Sequence, residues 1–174
     1  SERFRTSGWS PETPDDACAR CGASAPPHAT NLGGCSECRE SKLPWERFVR
    51  LGEYEGVLGE IVRDVKFKRF RSLGIAIGAC LGERLASALD AAEILASDAC
   101  VVPVPMSRWR YLERGIDHSA CIARGVCRSS HSIFVRILSR SHGPTQLAVV
   151  PSERPRNVSG VFRARSGRLA RVQP

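Results

Sequence analysis

The chain has 174 residues, of which 42% are hydrophobic and 25% charged, with a formal net charge of +8. That composition is ordinary for a folded protein and leaves room for one medium domain plus a small module. Apolar runs such as ACVVPVPM are too short to span a bilayer, and no charged-then-apolar leader argues for secretion, so membrane insertion is not expected and a cytoplasmic setting is.

The charge is unevenly spread: residues 1–100 carry 13 basic and 15 acidic side chains, residues 101–174 carry 13 basic and 3 acidic. The basic second half suggests an anionic partner, such as a phosphate-containing ligand or single-stranded DNA. Since 23 of the 26 basic residues are Arg, the local arrangement of arginines says more than their number.

In chain order, residues 1–16 are polar, carry two prolines and show no apolar period, which predicts a disordered lead-in. CARCG (Cys18, Cys21) and CSEC (Cys35, Cys38) then form two C-x2-C pairs separated by thirteen residues. Each pair can turn both sulfurs toward one ion, and two pairs complete a tetrahedral four-thiolate site. With all four positions taken by protein, a bound Zn2+ is structural; disulfides or a redox role are the competing readings. Gly22 suits the turn past the first pair, which often needs positive φ. The segment 22–34 has too few apolar residues to fold alone, so the metal would supply folding energy. His28 reads as a loop residue rather than a ligand.

Residues 43–56 read as a linker whose Trp45 and Phe48 pack the small module onto the main domain. Apolar positions 57, 58, 61, 62 and 65 predict a helix, and Leu73, Ile77, Leu81, Leu85 and Leu89 predict a second. ACVVPVP (99–105) reads as a short buried strand stopped by prolines. Arg108, Arg110 and Arg114 follow it directly, an arrangement suited to phosphate, with an exposed basic loop as the plainer reading. Trp109, between two of them, reads as a partly buried anchor, with stacking on a base as the alternative. Asp117 is placed to cap a helix over 118–128, and SIFVRIL (132–138) alternates like a strand. Residues 142–160 are turn-rich and basic, with Arg154 and Arg156 divided between an anion-binding hood and a solvated face. Cys80, Cys100, Cys121 and Cys127 read as core residues, and the scattered His118, His131 and His142 as structural or solvated. The order of elements is α/β, with a parallel sheet as its natural outcome.

A four-cysteine module, LPW, Y-x-G (Tyr54, Gly56), KF (Lys66, Phe67), VVPVP with arginines, RG (Arg114, Gly115), Gln146 and ERPRNVSGVF (153–162) together resemble the ComF family, over about residues 17 to 163. The resemblance implies a zinc ribbon over 17–50 and, over 51–174, a truncated type I phosphoribosyltransferase-like parallel sheet. It also implies an association with competence and DNA uptake. Arg108, Arg110 and Arg114 would then lie at the carboxyl end of the first core strand, where α/β sheets bind ligands. Where the family commonly has an aromatic and Asn-Gln after RG, this chain has Ile116, Asp117 and His118. Such domains also have an acidic pair for ribose hydroxyls and a Thr/Gly-rich loop for the 5′-phosphate. Neither follows the strands here, so the chain as given is expected to be catalytically incomplete. Mg2+ and phosphoribosyl pyrophosphate enter only with that loop, and the oligomeric state is open. The alternatives are a nucleic-acid-binding accessory protein and a zinc-ribbon interaction module.

Overall fold

The computed structural model describes residues 8–24, 34–141 and 149–165. It is mixed α/β, with a compact four-cysteine module followed by a helical body and two small sheets.

Residues 8–16 are not a free lead-in. Trp9 packs against the helical core, Glu12 N–H donates to the Leu51 carbonyl at 2.9 Å, and the Glu12 carboxylate pairs with Arg50 at 2.7 Å. An apolar side chain and a partnered carboxylate, rather than any period in the sequence, hold this stretch. Residues 1–7 lie outside the described residues.

Helix α1 (Gly56–Phe67) and helix α2 (Arg71–Asp90) match the predicted pair. Leu58, Ile61 and Val65 of α1 meet Leu73 and Ile77 of α2 in a core closed by Leu51. Past Ile77 the buried positions of α2 are Gly78 and Gly82 rather than the predicted leucines. The reason is a second contact: a Cβ on Gly78 would lie 2.1 Å from the Ile122 carbonyl oxygen. By length and composition alone α2 could cross a membrane; here its glycine face packs against another helix.

The strand predicted over 99–105 is reduced to β1 (Cys100–Val101). Pro103 and Pro105 lack the N–H needed to extend the ladder. Helix α3 (Arg108–Arg114) follows, so the arginines lie on a short helix and not in a loop. Ser107 caps it, accepting from Arg110 N, and Gly115 ends it at φ 67°, a left-handed C-cap that glycine adopts without strain. Helix α4 (His118–Ser130) begins where Asp117 accepts from Ala120 N at 3.1 Å, as its sequence predicts.

The predicted strand over 132–138 divides in two. Strand β2 (Ile133–Phe134) pairs in parallel with β1, Cys100 opposite Ile133 and Val101 opposite Phe134. Strand β3 (Leu138–Arg140) instead pairs antiparallel with β4 (Phe162–Ala164), after a short helix α5 (Arg154–Val158). Among the described residues the parallel outcome is therefore confined to β1 and β2. Of the four cysteines read as core, Cys121 is buried, Cys80 and Cys127 are half-buried, and Cys100 is exposed on its strand. Gln146, His28 and His142 lie outside the described residues.

Candidate functional site

The first knuckle closes where Gly22 N–H donates to the Cys18 carbonyl (2.7 Å) and Cys18 N–H to the Ala23 carbonyl (2.8 Å). Gly22 takes φ 79°, as expected, and its missing side chain makes room for the Phe48 ring, which a Cβ would meet at 2.2 Å. Phe48 therefore packs on the knuckle itself, and Trp45 Nε1 donates to the Arg20 carbonyl at 2.9 Å. In the second knuckle Arg39 N–H donates to the Cys35 carbonyl at 3.0 Å and Ser41 N–H to the Cys38 carbonyl at 3.0 Å.

These turns bring the Sγ atoms of Cys18, Cys21, Cys35 and Cys38 within 4.8 Å of one another. The sulfurs stand 3.7 Å apart for Cys18 and Cys38, 3.6 Å for Cys21 and Cys35, and 3.8 Å for Cys35 and Cys38. A disulfide needs about 2 Å, and all four are free thiols. A tetrahedron with Zn–S bonds of about 2.3 Å has edges of about 3.8 Å, so the spacing fits a four-thiolate metal.

The electrostatics agree. Burial opposes ionisation of Cys18, but the amides of Cys21, Arg20 and Cys35 and the Cys38 thiol outweigh it and bring Cys18 down to about 6. Against the Ala23 amide, burial and the surrounding sulfurs push Cys21 up to about 12. One thiolate forms readily and opposes the next, a conflict that a divalent cation relieves.

The second feature is basic. Around helix α3 a concavity of about 1000 Å³ is lined by Arg108, Tyr111, Asp117, Arg136, Arg140 and Arg165, among others. A neighbouring hollow of about 500 Å³ is lined by Arg108, Trp109, Arg140 and Ser141. Arg136 donates to the Asp117 carboxylate. Arg140 is half-buried over the Phe162 ring, 5.4 Å from its centroid, and its Nε finds no partner among the described residues. Burial and the nearby Arg110 charge pull its guanidinium below the usual arginine value.

Helix α3 does not hold the three arginines singled out from sequence on one side, although the Arg110 charge still acts on Arg140. On a helix Arg110 and Arg114 share a side, while Arg108 lies about 200° around from Arg110. Arg114 is held over the Phe67 ring at 5.2 Å. Arg108 instead shares the concavity with Arg136, Arg140 and Arg165, none of which the sequence reading selected. For Arg136 and Arg140 the signal was a spacing of four along β3 and its approach, legible only once that segment was known to turn back beside α3. Trp109 is 67% exposed, which removes its reading as a buried anchor. Arg154 and Arg156 are both exposed on α5.

No protein-family model matches the chain, and no solved structure matches it. Among curated proteins, the DNA utilization protein YhgH of Salmonella typhimurium (strain LT2) is 24% identical over 151 residues. YhgH of Escherichia coli (strain K12) is 25% identical over 148 residues, and that of Shigella flexneri 24%. Each match covers 84% of this chain and 63% of the relative, so the chain spans less than two thirds of the proteins it matches. At 24–25% identity it is a remote relative of proteins named for DNA utilization.

Proposed function

We propose that this chain belongs to a ComF-like protein that handles nucleic acid: a structural Zn2+ holds its N-terminal module, and its arginine-lined concavity binds a phosphate backbone. The observation that carries this is the meeting of Arg108, Arg136, Arg140 and Arg165 around one hollow, beside the exposed rings of Trp109 and Tyr111. Guanidinium forks match phosphate oxygens, and exposed aromatic rings accept stacked bases. The names of the remote relatives support a DNA-related role. The resemblance to phosphoribosyltransferases concerns the same chemistry, since pyrophosphate presents the same oxygens. Asp117 bonded to Arg136 narrows the field toward ligands that tolerate a carboxylate at the rim.

The test is anisotropy titration of a fluorescent single-stranded oligonucleotide at several salt concentrations. Binding should weaken steeply with salt as counterions are released. Losing Arg108 and Arg140 together should lower the slope by about 1.4, near 0.7 for each lost phosphate contact. Arg63→Ala with Arg128→Ala removes equal charge from other exposed positions and should leave the slope unchanged. Arg114→Ala should also change little, because that guanidinium is engaged with Phe67. Equal losses from both double variants would mean diffuse charge and overturn the site. Saturable pyrophosphate binding without oligonucleotide binding would favour the phosphoribosyltransferase reading instead.

A further inference from the structure

Between the two ligands of the first knuckle stands Arg20, and its side chain crosses to the second knuckle. Nη1 donates to the carbonyls of Cys38 (2.7 Å) and Arg39 (3.1 Å), and Nη2 donates to the Ser41 carbonyl (2.7 Å). These carbonyls lie at the end of the turn that carries Cys35 and Cys38, and that of Cys38 accepts from Ser41 N–H as well as from Arg20. Gly34 opens the passage: at φ 99° it lacks a Cβ that would lie 2.6 Å from Cys38 Sγ and 3.1 Å from Arg20 Cδ.

We propose that Arg20 is a positioning residue for the metal centre, its guanidinium locking the second C-x2-C turn against the first so that four sulfurs converge on one ion. The proposal rests on the metal reading above. Its physical basis is twofold. Three hydrogen bonds from one rigid fork fix the relative placement of two turns that are far apart in sequence, which a flexible lysine reproduces poorly. A divalent ion held by four thiolates carries two net negative charges, and a fixed cation alongside offsets part of that. Partners of this kind, one shell out from the metal, commonly alter affinity by about 10–100-fold.

The experiment uses the full chain. Co2+ replaces Zn2+ anaerobically, the tetrahedral thiolate absorption bands are recorded, and the rate of zinc transfer to a chromogenic chelator is measured. Arg20→Gln should release zinc about 10–100-fold faster and shift the cobalt bands, with the far-ultraviolet helix signal unchanged. Arg20→Lys keeps the charge and should recover part of the loss; it also serves as the reading if the Gln variant does not accumulate. Arg50→Gln is the control for simple destabilisation: it breaks bonds to Gly22, Glu12 and Ser24 on the outer side of the first knuckle. It should lower the melting temperature with wild-type cobalt bands. Wild-type bands and release rates in both Arg20 variants would overturn the role of Arg20, as would an Arg50→Gln variant that shifts both readouts equally. A wild-type protein that binds neither Co2+ nor Zn2+ would overturn the metal centre and the role of Arg20 with it.

Discussion

Asp117 and His118 show how adjacent residues at a helix start take different tasks. Asp117 caps α4 and also accepts from Arg136 at the rim of the basic concavity. Asp117→Ala should cost about 1 kcal/mol through the lost cap, read as a lower urea midpoint, while Asn keeps most of it. Asp117→Asn should also strengthen oligonucleotide binding, since it removes a carboxylate from the concavity. His118 is half-buried, and its burial, with the Arg114 and Lys66 charges, holds its pKa below 6.5 against the opposing effect of Asp117. The unfolded chain therefore takes up this proton first. Stability from neutral His118 is present above pH 6.5 and is lost as pH falls through the folded value. Comparing His118→Gln with the parent at pH 7, 6 and 5 should show the variant gaining relative stability toward acid. An unchanging difference between the two proteins would mean that His118 titrates normally.

Helices α2 and α4 approach each other closely through glycines. Gly78 and Gly125 are reciprocal: a Cβ on either would stand 2.1 Å from a carbonyl oxygen of the other helix, that of Ile122 or of Ile75. Gly82 repeats the pattern against Val126 at 2.4 Å. Alanine normally favours a helix interior over glycine by about 1 kcal/mol. Here the sign should reverse, because neither backbone can give way without separating the helices. Gly78→Ala and Gly125→Ala should each destabilise by about 1–3 kcal/mol, measured as a shifted urea midpoint at unchanged slope. This contact also matters for the concavity, since α4 carries Asp117 at its start and returns the chain to β2 and β3.

At the scale of the molecule, two separate buried clusters among the described residues divide the labour. One consists of Cys18, Cys35 and Cys38, with Cys21, Ala23 and Leu43 packed against it; the other is the apolar core of α1 and α2. The first has almost no apolar material, so with the proposed Zn2+ its stability should depend on the metal, whereas that of the second should not. Removing the metal with a chelator should expose protease cleavage sites within residues 17–50 while most of the helical circular dichroism remains. Cooperative loss of the entire helix signal at the same chelator concentration would show instead that the module supports the body, through contacts such as Glu12 with Arg50.

The local features were written in the sequence because each depends on near neighbours. Two C-x2-C pairs specify converging sulfurs, Gly22 specifies its turn, Asp117 specifies a cap, and apolar spacing specifies α1 and α2. The cluster of four cysteines was thus legible, and the structure brought all four together. What the sequence could not decide was every placement set by partners distant in the chain. Residues 8–16 look polar and unstructured, yet Trp9 and Glu12 find partners more than thirty-five residues away. The leucine stripe of α2 yields to glycines because α4 approaches there. The run 132–138 carries one strand pattern, but β1 and β4 compete for its two ends and divide it. Arg108 and Arg114 are close in sequence, yet a short helix turns them to different sides. Arg108 joins Arg136, Arg140 and Arg165 through the fold alone: one-dimensional spacing records the angle around a helix, and only tertiary packing decides which distant charges meet there.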